Sequence, residues 1–337
     1  MDKMKKCINC VLFLILAFVL LDKLNYVLRP QNTDQVISNI DAYHKLPENS
    51  VECLILGPSS SWRGINTLEL YRMYGIGAYN YSSNWLHINT IELYLHDSLR
   101  TQKPKVIILE TTNIEKHQID NIDGEIYCTN SLRLSNKEKF SYVSDALGGD
   151  CLKSLYYFFP ILNVHENIEN ISYDSFVPYY TTEDFNMTMG YFYLPGEDKV
   201  TEVILPDMST VEQVELPEES ENIMNRIASF CNENDISLIL FTMPQGSIPN
   251  IYHDALEEYA QKKGLTYVDL FYEIDNVGLD TKTDFYDRLH LNNSGAIKVS
   301  DYLGKVILKV KDLGDLRKDP SKNVLWEDKE DVKTRRK

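Results

Sequence analysis

What this 337-residue sequence has least of is positive charge: 34 lysines and arginines stand against 50 aspartates and glutamates, a formal net charge of −16. Binding along a nucleic-acid backbone needs a basic footprint, so that class is set aside. Metal-binding patterns are missing as well. No C-x-x-C lies beyond residue 10, no His/Cys cluster has zinc spacing, and His87 and His96, nine apart, are the nearest approach to a pair. No metal and no cofactor is expected. Internal repeats and low-complexity segments are absent too. What remains is ordinary globular composition, 43% hydrophobic and 25% charged, on a chain long enough to bury a full core.

The charge is unevenly distributed. Residues 1–6 carry Lys3, Lys5 and Lys6 against Asp2, a net of +2, and residues 316–337 carry eight basic against five acidic side chains, a net of +3. Removing both from −16 leaves −21 on residues 7–315. Directly after the lysines comes the one long apolar run, CINCVLFLILAFVLL, residues 7–21, closed by Asp22 and Lys23. At ~1.5 Å per residue it covers about 22 Å, short of a ~30 Å hydrocarbon core, so snorkelling or the residues that follow must help it span. Its length alone fits the core of a signal peptide equally well. The following DKLNYVLRP offers no small-x-small cleavage site, which favours a retained signal anchor. The positive-inside rule then puts the amino end in the cytoplasm and residues from about 30 onward outside the cell membrane.

Cysteine usage fits an extracytoplasmic body without demanding one. Cys53 and Cys231 sit in apolar or helical patterns as buried thiols, whereas Cys128 and Cys151 share one region and could pair as a disulfide.

Beyond the anchor, strand-like apolar runs alternate with helical patterns. A helix over 33–46 is followed by VECLILG (51–57), a helix over 66–74, GAYNYS (77–82), a helix over 88–101 and KVIILET (105–111). The alternation resumes with a helix over 217–233, SLILFTMP (237–244), a helix over 250–263, LTYVDL (265–270) and a helix over 294–311 with Ser294 as its N-cap. Continuous apolar strands separated by helices imply an α/β fold, a three-layer α/β/α sandwich around a central parallel sheet. In such sheets ligands bind beyond the carboxyl ends of the strands. Residues 114–216 interrupt the pattern and are expected to form an insertion or cap. Its aromatic clusters YYFFP, VPYY and MGYFYLPG pack a small core of their own or offer a sugar-stacking platform, the first being favoured. The chain thus divides into an anchor (1–29), a first domain part (30–113), the insertion (114–216), a second part (217–313) and a charged tail (314–337) without periodicity, expected to be disordered.

Two strand-end segments carry chemistry. The first strand runs into LGPSSSWRGIN (56–66), where Gly57 permits a sharp turn and Ser59 follows it. Most serines in such turns are caps, so this one gains weight only with a partner. The last helix is preceded by DFYDRLHLNNSGA (284–296), in which Asp287 and His290 are three apart, close enough for a carboxylate to orient an imidazole that takes a serine's proton. Asp41-Ala-Tyr-His44 has the same spacing, but it lies beside the anchor and reads as a solvated helix pair.

Gly57-Pro58-Ser59 and Asp287-Arg288-Leu289-His290 together resemble the first and last blocks of the SGNH (GDSL-type) hydrolase family. The likeness covers about residues 30–115 and 235–310 and is greatest to its membrane-anchored, cell-surface branch, similar to proteins of teichoic-acid D-alanylation and polysaccharide O-acetylation. The resemblance implies Ser59 as nucleophile, His290 as base and acid, and Asp287 as orienting carboxylate. An oxyanion hole would come from the amide of Ser59, from Asn113 and from Asn84. The middle blocks depart from the family: NYSSNW (80–85) has no glycine after the second strand, leaving the backbone of Ser83 or Asn84 as donor, and Thr111 replaces the glycine of the G-x-N block ending at Asn113. The implied activity is that of a serine esterase or O-acyltransferase on acyl esters of a cell-surface glycopolymer, beside a multi-pass membrane acyltransferase if it installs them. The competing reading is a non-catalytic, membrane-tethered scaffold of a polysaccharide-modifying complex. Because such polymers are often anionic, the face bearing Ser59, Arg63 and Arg288 is expected to be less negative than the rest.

Overall fold

Five short strands form at the apolar runs in a computed structural model, which describes residues 2–29, 33–84, 86–115, 128–129, 131–147, 149–159, 161–193, 199–327 and 329. They are β1 (Cys53–Leu56), β2 (Ala78–Asn80), β3 (Val106–Glu110), β4 (Ser237–Thr242) and β5 (Thr266–Asp269). All pairings are parallel, in the order β2-β1-β3-β4-β5, with Ile55 opposite Asn80 and Ile108, and Leu109 opposite Leu240. This is a doubly wound order, and the chain reverses its direction of travel across the sheet between β1 and β3. In sheets of this order the ligand crevice lies outside the carboxyl ends of those two strands.

The strands read as unbroken apolar runs because both of their faces are covered. Leu54, Leu56, Ile107, Leu109, Leu238 and Leu240 point into one core, and Cys53, Ile55, Val106, Ile108, Ile239 and Phe241 into the other. The first is closed by α2 (Asp34–Lys45), α5 (Ile88–Ser98), α10 (Glu218–Glu233) and α11 (His253–Lys263) through Ile40, Tyr94, Ile227 and Leu256. The second is closed by α4 (Thr67–Tyr74) and α13 (Asn293–Val310) through Leu70, Val299, Leu303 and Ile307. The α/β/α sandwich is therefore realised. α1 (Asp2–Val27) is long and apolar enough to cross a membrane.

Several expectations change. The N-cap of α13 is Asn292, whose side chain accepts from Gly295 N, and Ser294 lies inside the first turn. Residues of the tail fold onto the domain: α14 (Pro320–Glu327) buries Trp326, which stacks on Tyr71 with centroids 5.4 Å apart. Among the described residues the insertion's buried apolar side chains divide between separate cores. Tyr157 of α7 (Cys151–Phe158) packs with Val143 of α6 (Asn136–Ala146) and with Leu28, whereas Tyr180, Phe185 of α9 (Thr182–Thr188) and Phe192 join the main core. The side chain of Cys151, and with it the disulfide, lies outside the described residues; the Cys128 thiol lies 3.4 Å from Ser83 Oγ.

His44 is the largest departure. It is buried, not solvated, and its Nε2 meets Asp97 Oδ2 at 2.6 Å instead of Asp41. Asp97, fully buried, also accepts from Tyr81 OH at 2.6 Å. The pair fastens α2 to α5, and in a dry interior neither partner tolerates the loss of the other. His44→Ala is expected to destabilise the protein by about 3–5 kcal/mol, read from urea unfolding of the detergent-solubilised chain.

Candidate active site

The turn after β1 is shaped by close packing. A Cβ on Gly57 would come 2.5 Å from both Glu110 Cβ and Ser61 Oγ, so only glycine fits. Pro58 follows with φ −75° and ψ −169°, and its carbonyl accepts from Trp62 N at 3.1 Å, starting the short helix α3 (Ser59–Gly64). Proline suits this junction because its fixed φ and missing N–H cost nothing at a helix start. Ser59 is thereby the first helical residue at the carboxyl end of β1, half-buried, with its backbone amide ahead of the first intrahelical hydrogen bond. Behind it Trp62 is fully buried, stacked on Phe192 at 4.5 Å and donating Nε1–H to Gly190 O at 2.8 Å.

The opposing wall is the loop before α13. An isolated antiparallel bridge pairs Phe285 with Leu291, and Tyr286 N donates to His290 O at 2.9 Å, so the loop closes into a narrow hairpin. Residues 201–203 of the insertion run alongside: Thr201 N donates to Phe285 O and Val203 N to Thr281 O. Within the hairpin, Asp287 Oδ1 accepts from Leu289 N at 2.7 Å and His290 N at 3.0 Å. Burial by itself would raise this carboxyl, but the hydrogen bond and charge of His290, with those two amides, outweigh it and hold it at about 2.

Across the crevice Ser59 Oγ and His290 Nε2 are 2.9 Å apart, and His290 Nδ1 lies 2.9 Å and 3.0 Å from the two Asp287 oxygens. With a carboxylate at Nδ1, that nitrogen carries the proton, so Nε2 accepts from the serine hydroxyl. Residues 231 apart in sequence thus form one continuous chain of hydrogen bonds. Such a chain lets a hydroxyl attack an electrophile while passing its proton to the ring. Arg63 Nη1 stands 3.3 Å from Nδ1, and its guanidinium lies over the Phe192 ring at 5.3 Å, placing a positive charge beside the three groups. Arg288 is exposed on the hairpin.

The expected oxyanion donors fare unequally. Ser83 N is committed to Gly57 O at 3.1 Å, which removes it. Asn84 sits in the turn after β2, half-buried, its carbonyl facing the Cys128 thiol at 3.7 Å. Asn113, in the turn after β3, gives Leu86 O one hydrogen bond from Nδ2 at 3.3 Å, leaving that nitrogen a second N–H. Among the described residues no group of three or more histidine, cysteine or acidic side chains is arranged to hold a metal ion.

Sequence reasoning assigned no role to Glu110, the last residue of β3 and almost completely buried. Its Oε2 accepts from Ser60 Oγ at 3.0 Å; its Oε1 accepts from Thr112 N at 3.1 Å, from Met243 N at 3.2 Å and from the Thr112 hydroxyl. Burial pushes this carboxyl up to about 7, against those same hydrogen bonds. The signal was present as an acidic residue closing an apolar strand, since glutamate is almost never fully buried without partners.

The chain matches no protein-family model and no curated protein sequence.

Because the folded-state pKa of Glu110 lies above its unfolded value of 4.5, its contribution to stability is complete below about pH 4.5 and is lost as pH rises through about 7. The gap corresponds to a loss on the order of 3 kcal/mol. Glu110→Gln keeps one oxygen for the two amides and can donate to Ser60 Oγ. Unfolding followed from pH 5 to 8 is expected to show a stability loss in the parent that the variant lacks.

Proposed function

We propose that the protein is a membrane-anchored serine esterase or O-acyltransferase of the SGNH type, acting outside the cell on acyl esters of a cell-surface glycopolymer. The observation that carries this reading is the Ser59–His290–Asp287 chain at the crevice between β1 and β3, with a 2.9 Å contact at each step. Ser59 Oγ attacks the acyl carbonyl while Nε2 takes its proton, and Asp287 holds the Nδ1 proton and stabilises the imidazolium. The carbonyl oxygen becomes an oxyanion, met by the Ser59 amide, the second N–H of Asn113 and the amide of Asn84. The intermediate collapses, the C–O bond to the sugar oxygen breaks, and Nε2 returns the proton to that oxygen. The acyl-serine is then cleaved by water in hydrolysis, or by a second sugar hydroxyl in transfer, deprotonated by the same nitrogen.

Arg63 beside the imidazole and Arg288 exposed on the hairpin support the expectation of a face less negative than the rest of the domain, which suits an anionic polymer. Lys3, Lys5 and Lys6 before the apolar run favour a cytoplasmic amino end and an external domain. A multi-pass acyl donor in the same membrane would supply the acyl group for transfer. The scaffold reading draws on the Ser83 amide already held by Gly57 O, since losing one oxyanion donor costs about 10²–10³-fold in turnover.

A fluorophosphonate probe separates the two. It is expected to phosphonylate Ser59 Oγ in the full chain, with labelling abolished in Ser59→Ala and slowed roughly 10³-fold or more in His290→Ala and Asp287→Asn. Labelling of a different serine, or none under conditions that label a control serine hydrolase, sinks the enzyme reading and leaves the scaffold.

A further inference from the structure

The membrane helix does not leave the domain on a loose tether. Leu28, one residue past α1, is buried against Val143, Tyr157 and Val164 of the insertion. Its carbonyl accepts from Asn167 Nδ2 at 2.8 Å. Arg29 lays its guanidinium over the Tyr26 ring at 3.9 Å and donates from Nη1 to Ser175 O at 2.9 Å. Residues 161–175 are thus fastened directly to the point where the chain emerges from its apolar run.

That stretch and its immediate flanks expose many apolar side chains. Phe159, Leu162, Ile168, Tyr173, Phe176 and Tyr179 all face outward, Tyr173 with 78% and Tyr179 with 70% of its surface open. Single exposed apolar residues are ordinary, but with Ile171 and Val177 there are eight within 21 residues of short helical turns, a concentration that needs a covering.

The height of the patch follows from the length of the run. Residues 7–21 cover about 22 Å of a ~30 Å hydrocarbon core, leaving about 4 Å on each side, roughly three residues of helix. The hydrocarbon edge then falls near Leu24. Leu28 stands about 6 Å beyond it, inside a headgroup layer about 5–7 Å deep. Aromatic side chains with one polar end concentrate at that depth.

We propose that the surface formed by residues 159–179 rests in the headgroup layer of the leaflet through which α1 emerges, with the lipid bilayer itself as its partner. The domain is then seated on the membrane at two places, the anchor and this patch, and its orientation to the surface is fixed. The segment carries Glu166 and Glu169, both exposed, so the attraction is apolar and aromatic, and anionic lipid adds nothing to it. The proposal depends on α1 spanning the bilayer and is independent of any chemistry at Ser59.

The test uses the full chain reconstituted in phosphatidylcholine vesicles, with tryptophan introduced as Tyr173→Trp, Phe176→Trp or, as the control, Tyr272→Trp. Tyr272 is half exposed just past β5, the sheet edge opposite the β2 side that α2 covers. With phosphatidylcholine brominated near the headgroup end of its acyl chains, the fluorescence that Tyr173→Trp or Phe176→Trp adds is expected to fall roughly two-fold or more, that of the control to stay constant. Replacing a third of the lipid by phosphatidylglycerol is expected to leave the quenching unchanged. Both patch variants unquenched, with emission in the water-exposed range, would overturn the proposal. Blue-shifted but unquenched emission would overturn it as well, and would make a protein surface, such as a second copy of this chain, the covering.

Discussion

One buried carboxyl group ties together the carboxyl ends of the three central strands. Glu110 ends β3; through Ser60 it holds the helix that follows β1, through Met243 N the end of β4, and through Thr112 the turn that carries Asn113. Gly57 has to be glycine because Glu110 packs against it. The position of Ser59 is therefore fixed from beneath by a group that makes no contact with the hydroxyl itself. Removing such a carboxyl without replacing its oxygens would leave two backbone amides unpaired in a dry interior, which is far more costly than the hydrogen bonds are worth individually.

The same logic governs the other wall. Asp287 is satisfied by two amides of its own hairpin before it meets the imidazole, so its ionised form is stabilised locally and the ring is oriented by a carboxylate that is already in place. The hairpin is in turn braced by residues 201–203 from the insertion and by Lys298 on Asp284 at 2.6 Å. The insertion is more than a covering, since two points nine residues apart in it touch both walls: Phe192 stacks on Trp62 beside the serine, and Thr201 pairs with the loop of the histidine.

The strands were legible because burial on both faces of a parallel sheet demands uninterrupted apolar runs, and VECLILG, KVIILET and SLILFTMP can be little else. That Ser59 would meet Asp287 and His290 was legible because a parallel sheet directs attention to its strand ends and because their two segments resemble paired blocks of one family. What local spacing cannot convey is a partner chosen from a distance. His44 sits three residues from Asp41, yet tertiary packing gives it Asp97, 53 residues away. Ser83 stands where a backbone donor was needed, yet its amide is taken by Gly57 O. The charged tail hid Trp326 in a segment without periodicity, and one large aromatic side chain is enough to dock a short helix.

The order of the chain adds a constraint of timing. β3 and β4 are neighbours in the sheet, yet the whole insertion separates them in sequence, and the histidine follows the serine by 231 residues. Contacts this distant have a high loop-closure cost and form late in folding. In a chain delivered amino end first, the serine turn is completed long before the imidazole that would activate it. The crevice consequently lacks its second wall until nearly all of the domain has been made, so a nascent or truncated chain presents the serine turn without the imidazole.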